Sequence, residues 1–494
     1  MEKVLSKLKD KEFLKGVSTV IGASLLNFIA GAIFSVSQLL LYEVSYIHHV
    51  NPGNEITSDN ESFYYPIEIF LQTIATFFSA VLYKKLGLNY TNLIGMVTLF
   101  FGYLALLLSK SFAVDVISMI LGGIGTGIIN YPSTANACEW FLDNNGIIVG
   151  IIETMISLGS FCFNLLGEKI INPKKAKAIK EDDDAFHSLE ISEKFKTFMI
   201  WLIVSVVVFY GLSYVMTFKK QNDILKDPSK MKVGLIQVND ENENKEENKG
   251  SDGKQSGIEA TFEYEEEKKD ILKMLFSALK SINLIIFTLI VVLEAPISSM
   301  IFSLSRSIGE FNEIDELTSL GPINFVFECV GGFFLGILCD YVPQKYLLLF
   351  MNGSNVIIAF FYCLTFSNSI AFFIFTSYSS FLAGGFYSIK DYFLIKVYGV
   401  DLYVELMACV NLLASIVVIG LTPLSYYLND NADVDSNSPY WILFSICGVL
   451  SIMGLVLSYY VKDDVFKYEK PLADDDDDDG KEINKLDQAE TGET

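Results

Sequence analysis

The chain has 494 residues and a formal net charge of −23; 51% of its residues are hydrophobic, 14% are aromatic, and Phe alone contributes 39. With a mean hydropathy of +0.39, that composition excludes an ordinary soluble enzyme, and the acidic balance excludes a nucleic-acid binder. The negative charge is concentrated in "NDENENKEENKGSDGK" and "EYEEEKKD" between residues 221 and 270, and in the six-aspartate run from Asp474 to Asp479.

An apolar run of about 20 residues is long enough to cross a bilayer as a helix. Taken in chain order, such runs predict twelve spans, at 15–46, 63–85, 90–109, 112–139, 145–171, 197–218, 281–303, 319–341, 346–366, 370–396, 401–428 and 439–461. The first follows "MEKVLSKLKDKEFLK" and is too long for the apolar part of a cleavable signal, so it reads as a retained span. The expected fold is an all-α membrane protein with twelve transmembrane helices in two six-helix pseudo-symmetric bundles. Residues 1–218 form the first bundle, 219–280 an acidic cytoplasmic linker, 281–461 the second bundle, and 462–494 an acidic disordered tail. An even number of crossings puts both termini and the linker on one side. That side holds 26 of the 36 basic residues, which predicts that it is cytoplasmic, although seven lysines between 169 and 196 run against the rule.

The stretch "GGIGTGIINYPSTANACEWFLDNNGIIVG", residues 122–150, begins like a dinucleotide loop but lies inside a membrane helix, with no strand before it. Gly123 and Gly127 are four apart and share a helix face, as do Gly332 and Gly336 in span eight and Gly146 and Gly150 in span five. Glycines in this spacing let helices approach closely in lipid. Trp140 and Phe141 suit the interface, and Asp143, Asn144 or Asn145 is the expected N-cap of span five. "GGIGTGIINY" in span four has an echo in "GGFYSIKDY" of span ten, the kind of internal repeat found in secondary transporters.

The residues Gly123, Gly125, Gly127, Tyr131, Pro132, Trp140, Phe141, Asp143, Gly146 and Gly150, continued by "FNLLGEKIINP", resemble the fourth and fifth spans of the oxalate/formate antiporter and monocarboxylate transporter branch of the major facilitator superfamily. "GILCDYVPQK", with Gly336, Leu338, Asp340 and Lys345, is similar to the motif after span eight of that superfamily. Its first-half copy, "AVLYKKLG", keeps Leu82, Lys85 and Gly87 but has Lys84 where the acid belongs. The resemblance implies a secondary active transporter moving a small organic solute by alternating access. Its expected partners are a small-molecule substrate of the monocarboxylate type, a co-transported proton and the lipid bilayer, with no nucleic acid, and it is expected to act as a monomer. Transporters of this branch hold their anion with a basic residue on span eight and, in the oxalate/formate type, another on span eleven, and this chain has none there. An amino-acid or other zwitterion carrier on the same fold is therefore the alternative, and a transporter-like sensor without flux is the third reading.

A charge in mid-membrane costs about 2.5–3.5 kcal/mol on insertion scales, so one kept there has a partner or a task. Glu328, with Asn324 one turn before it, is the first candidate for proton coupling, because loss of water favours a neutral carboxyl. The alternative is a carboxyl bonded to a neighbouring helix. Lys390, beside Tyr387, could hold a substrate carboxylate, snorkel outward, or pair with Glu153 or Glu405 in a gate. Asp391 points about 100° away from it. Glu294 precedes Pro296, with Ser298 and Ser299 available to satisfy freed backbone groups. Glu68 and Gln72 are one turn apart in span two, and Asn27, Ser35, Gln38, Asn130, Tyr131 and Asn411 are further candidate lining groups. The expected gate comprises Asp340, Lys345, Lys85, Glu153, Glu405 and Asp143. His48 and His49 lack metal-ligand spacing, Asn60-Glu61-Ser62 is a glycosylation sequon, and the seven cysteines lack CxxC spacing. No nucleophile–base pair, metal cluster or cofactor loop emerges, so neither an enzyme nor a cofactor is expected.

Overall fold

The computed structural model describes residues 11–51, 64–176, 179–181, 184–219, 272–312, 314, 320–430 and 438–466. The sequon, most of the acidic linker and the aspartate run lie outside the described residues. Twelve helices among those described are long and apolar enough to cross a membrane, which makes the chain an integral multi-pass membrane protein.

The first bundle runs as span one (Lys11–Ala30 and Ala32–Val50), span two (Tyr64–Leu86), span three (Leu88–Leu108), span four (Phe112–Cys138), span five (Asn145–Ile171) and span six (Lys194–Met216). The second runs as span seven (Ile282–Phe311), span eight (Leu320–Cys339), span nine (Gln344–Phe361, continued by a 3-10 stretch Tyr362–Ser367), span ten (Ser369–Tyr398), span eleven (Val400–Asp430) and span twelve (Ser438–Ser458). A short antiparallel hairpin, β1 (Ile179–Glu181) and β2 (Asp184–Phe186), interrupts the helices between spans five and six. It docks on the far end of span one, where His48 stacks on Phe186 and His49 Nε2 meets the His187 carbonyl at 2.8 Å.

Helices in lipid gain little from the hydrophobic effect against one another, so close backbone packing and interhelical hydrogen bonds hold them. Span one breaks at Gly31 where it crosses span five. A Cβ there would collide with the Ile156 carbonyl, and one on Gly159 would collide with that of Phe28. Two hydroxyl bonds tie the crossing, Ser35 Oγ to Ser160 O at 2.6 Å and Ser160 Oγ to Gly31 O at 2.9 Å. Gly123 and Gly127 of span four press on the Glu68 and Gln72 carbonyls of span two.

The apolar core shows which face of the protein is shut. Ala135, Cys138, Val149 and Ile152, from the ends of spans four and five nearest the chain termini, belong to one continuous core with spans seven to twelve. The far half of the first bundle, around Leu39, Leu99 and Phe198, packs into a separate core of its own. The bundles thus join at the face that carries both termini. On that face span five meets span eight backbone to backbone: a Cβ on Gly336 would lie 2.5 Å from the Gly150 Cα, and one on Gly150 would lie 3.2 Å from the Gly332 carbonyl.

Candidate functional site

Between the bundles lies a cavity of about 200 Å³, walled by residues of both halves at and beyond mid-membrane. The first bundle contributes Gln72 and Thr76 from span two, Asn130 and Tyr131 from span four, and Glu153 and Ser157 from span five. The second contributes Glu294 from span seven, Glu328 from span eight, Tyr387 and Lys390 from span ten, and Asn411 from span eleven. Three carboxyls and one ammonium therefore share this wall.

Each charge has its own support. Glu294 Oε1 accepts from Ser298 Oγ at 2.9 Å and from Asn355 Nδ2 of span nine at 3.2 Å. Ser298 thus serves the carboxyl and not, as expected, the backbone loosened by Pro296. Glu328 lies within hydrogen-bonding reach of Ser157 across the bundle interface. Lys390, only 5% exposed, donates to Asn411 Oδ1 at 2.9 Å and lies over the Tyr387 ring. Asn411 Nδ2 in turn donates to the Tyr131 hydroxyl at 2.8 Å, so a polar chain runs from span ten through span eleven to span four. Thr73 and Ser415 make a second bond between the bundles, at 2.9 Å.

Glu153, expected in the gate, also faces the cavity. It lies eight residues into span five, about 12 Å along the axis, and its carboxyl enters the cavity wall. There it meets Asp391, whose Oδ2 accepts from the Tyr403 hydroxyl at 2.8 Å. Lys390 forms an ion pair with neither Glu153 nor Glu405: it donates a hydrogen bond to the amide oxygen of Asn411, and Glu405 is bound by Lys84. Lys85, the expected gate residue, is exposed, and the contact with span eleven is made by its neighbour Lys84. Consecutive helical residues diverge by about 100°, so only one lysine of the pair can face span eleven.

Three expected substrate contacts are not on the cavity wall. Asn27 Nδ2 bonds Ser133 Oγ at 3.2 Å within the first bundle. Gln38 Oε1 accepts from Asn164 Nδ2 at 3.0 Å, near the outer end of span eight at Gly321. Asn324 is buried one turn outward of Glu328. The amides of Asn27 and Gln38 thus bond to neighbouring helices rather than facing the open centre.

At the termini face, Asp340 ends span eight and accepts two backbone N–H bonds from the start of span five, Gly146 N to Oδ1 and Ile147 N to Oδ2, both at 2.9 Å. None of Asp143, Asn144 and Asn145 supplies the expected side-chain cap of span five; the carboxylate of the opposite bundle occupies that position. An anion there is favoured by the helix dipole and by unsatisfied amides. Asp143 is exposed, and Lys345 turns away to lie 3.7 Å over the Tyr459 ring, next to span twelve.

One buried charge cluster escaped sequence reading. Lys196 Nζ donates to Glu43 Oε1 at 2.5 Å and to the Leu106 carbonyl at 2.9 Å, with Asp115 nearby. Glu43 and Asp115 both lie within predicted spans, and that was the available signal.

Comparison with known proteins fits this geometry. A family model described as Major Facilitator Superfamily matches residues 265–484. No curated protein matches the chain. Among solved structures, the transporter FucP in its outward conformation aligns over 90% of this chain and 99% of its own, with a TM-score of 0.58 and 13% identity. The proton:xylose symporter XylE, bound to 6-bromo-6-deoxy-D-glucose, aligns over 92% and 97%, with a TM-score of 0.62 and 13% identity. A double-Trp mutant of XylE aligns over 91% and 96%, with a TM-score of 0.63 and 11% identity. The chain has the major facilitator fold. Its cavity occupies the boundary between the two halves of that fold, where residues of both halves converge.

Proposed function

We propose that the protein is a secondary active transporter of the major facilitator superfamily that moves a small organic solute by alternating access. Its termini face would be cytoplasmic, in line with the excess of basic residues there. The observation that carries this reading is the single cavity wall built from both bundles, shut toward the termini by Asp340, Lys84–Glu405 and the glycine contacts of spans five and eight. Separation of those contacts, with closure of the far half, would present the same cavity to the other side.

The wall favours a solute that carries both an ammonium and a carboxylate. Lys390, held by Asn411, offers a carboxylate its one cationic partner, while Glu328 and Glu294 suit an ammonium. A simple monocarboxylate, the class suggested by the span-four motif, would meet three carboxyls for one lysine and no basic residue from spans eight or eleven. Like charges in a poorly hydrated site repel strongly.

The test is uptake into proteoliposomes of the purified full chain, with radiolabelled neutral amino acids and, separately, lactate, pyruvate and oxalate, with and without a pH gradient. Accumulation of neutral amino acids, reduced at least tenfold by Lys390→Met, is expected. Uptake of lactate or oxalate in their place would restore the monocarboxylate reading, and no flux of any solute would favour the sensor.

A further inference from the structure

The contact between Glu153 and Asp391 brings two acids, one from each bundle, together beside the cavity. Glu153 is 8% exposed and Asp391 1%. Their carboxyls lie within hydrogen-bonding reach of each other. Two carboxylates have no proton to share, and at that separation in a dry site they repel. One hydrogen placed between them turns repulsion into a charge-assisted bond.

The remaining contacts leave one place for that hydrogen. Asp391 Oδ2 already accepts from Tyr403 at 2.8 Å, and the other Glu153 oxygen, Oε1, finds no hydrogen-bond partner. Lys390 is the adjacent cation and is held by Asn411. With one shared proton the acid pair carries a single negative charge, which balances the lysine. Without it, the buried group carries an uncompensated charge, which is costly away from water. The other titratable groups that face the pair are Glu328 from span eight, Tyr131 from span four, Tyr403 from span eleven and the Cys138 thiol, while Glu294 from span seven faces the adjacent Lys390.

We propose that Glu153 and Asp391 form a proton-binding site across the bundle interface, in which one shared proton holds the termini face closed. The bond spans the two bundles, so it cannot survive their separation. Binding of the proton and closure of that face are therefore one equilibrium. Acid strengthens closure; loss of the proton to the cavity, which Glu153 faces, drives the bundles apart there. This rests on the alternating-access reading but not on the identity of the solute. It places the proton on the interface pair and not on Glu328, the first candidate from sequence.

The experiment reads conformation without substrate. Spin labels at the exposed positions Asp143 and Tyr341, on the facing ends of spans five and eight, report the closed and open distances by pulsed electron resonance in nanodiscs. If one proton is released on opening, the closed-to-open ratio falls tenfold per pH unit through the transition, between about pH 5 and about pH 9. Glu153→Gln and Asp391→Asn each place a permanent amide donor in the bond. Both variants are expected to stay closed with no pH transition, while Glu328→Gln keeps the transition. A wild-type ratio that does not change with pH would overturn the proposal whether or not any variant folds. So would a transition that persists in Glu153→Gln and disappears in Glu328→Gln. A failed solute screen leaves this result standing, and a flat pH response leaves transport itself standing.

Discussion

The two halves of the protein shut the termini face at corresponding positions by different chemistry. After span eight, Asp340 accepts two backbone N–H bonds at the start of span five, directly above glycines that let the helix backbones touch. In the last turn of span two, the corresponding position is Lys84, and its partner is the carboxylate of Glu405 near the start of span eleven. The first latch is geometric: donors fixed by a helix terminus meet a rigid acid, and no side chain intervenes. The second joins two flexible side chains, with Lys84 37% exposed, where water and salt screen the attraction. Pseudo-symmetry therefore preserves the position of a latch without preserving its strength. The span-five and span-eight contact is expected to dominate closure.

Replacement of Gly336 by Val gives the largest expected effect. Its Cβ would lie 2.5 Å from the Gly150 Cα and 3.1 Å from the Gly146 carbonyl, and since both are backbone, the closed face should lose more than about 3 kcal/mol. The label pair on spans five and eight would then report only the open distance; a closed population equal to wild type would refute the dominance of this contact. Asp340→Ala removes two charge-assisted bonds but leaves amides that water can reach. A loss of about 2 kcal/mol, a roughly thirtyfold fall in the closed-to-open ratio, is expected, and Asp340→Asn should recover part of it.

Lys84→Gln tests the weaker latch. The shift should be about 0.5 kcal/mol, two- to threefold in the ratio, and should vanish as salt is raised to about 1 M. A salt-insensitive effect as large as that of Asp340→Ala would remove the distinction between the latches. Lys85→Gln, at the same helix end but outside the ion pair with Glu405, should leave the ratio within error of wild type, although Lys85 is the lysine that matches the motif.

The lysine pair shows where sequence reading stops. Hydropathy locates a helix in the membrane because the cost of leaving backbone groups unpaired in lipid permits little else. It does not give the rotation of the helix about its own axis. Span six, with apolar residues on every side, and span ten, with a polar residue on several, both lack a sharp apolar stripe to set that angle. The sequence names Glu153, Lys390, Asp391 and Glu405 as costly charges, yet it leaves Lys390 open between a substrate carboxylate, the membrane surface and an acid of the gate, where the structure gives it Asn411. Likewise Asn27 and Gln38 read as lining groups but bond within the first bundle.

The sequence by itself determined the solvent, the number of crossings and the charges named at the centre of the bundles, because each follows from the transfer of local groups between water and lipid. Only the tertiary structure decided which charges meet. Asp340 reaches an amide pair 194 positions earlier in the chain, and Glu153 faces Asp391 from the opposite bundle. These encounters depend on how two helical bundles are rotated and docked, and the sum of many interhelical contacts sets that arrangement; no local pattern carries it.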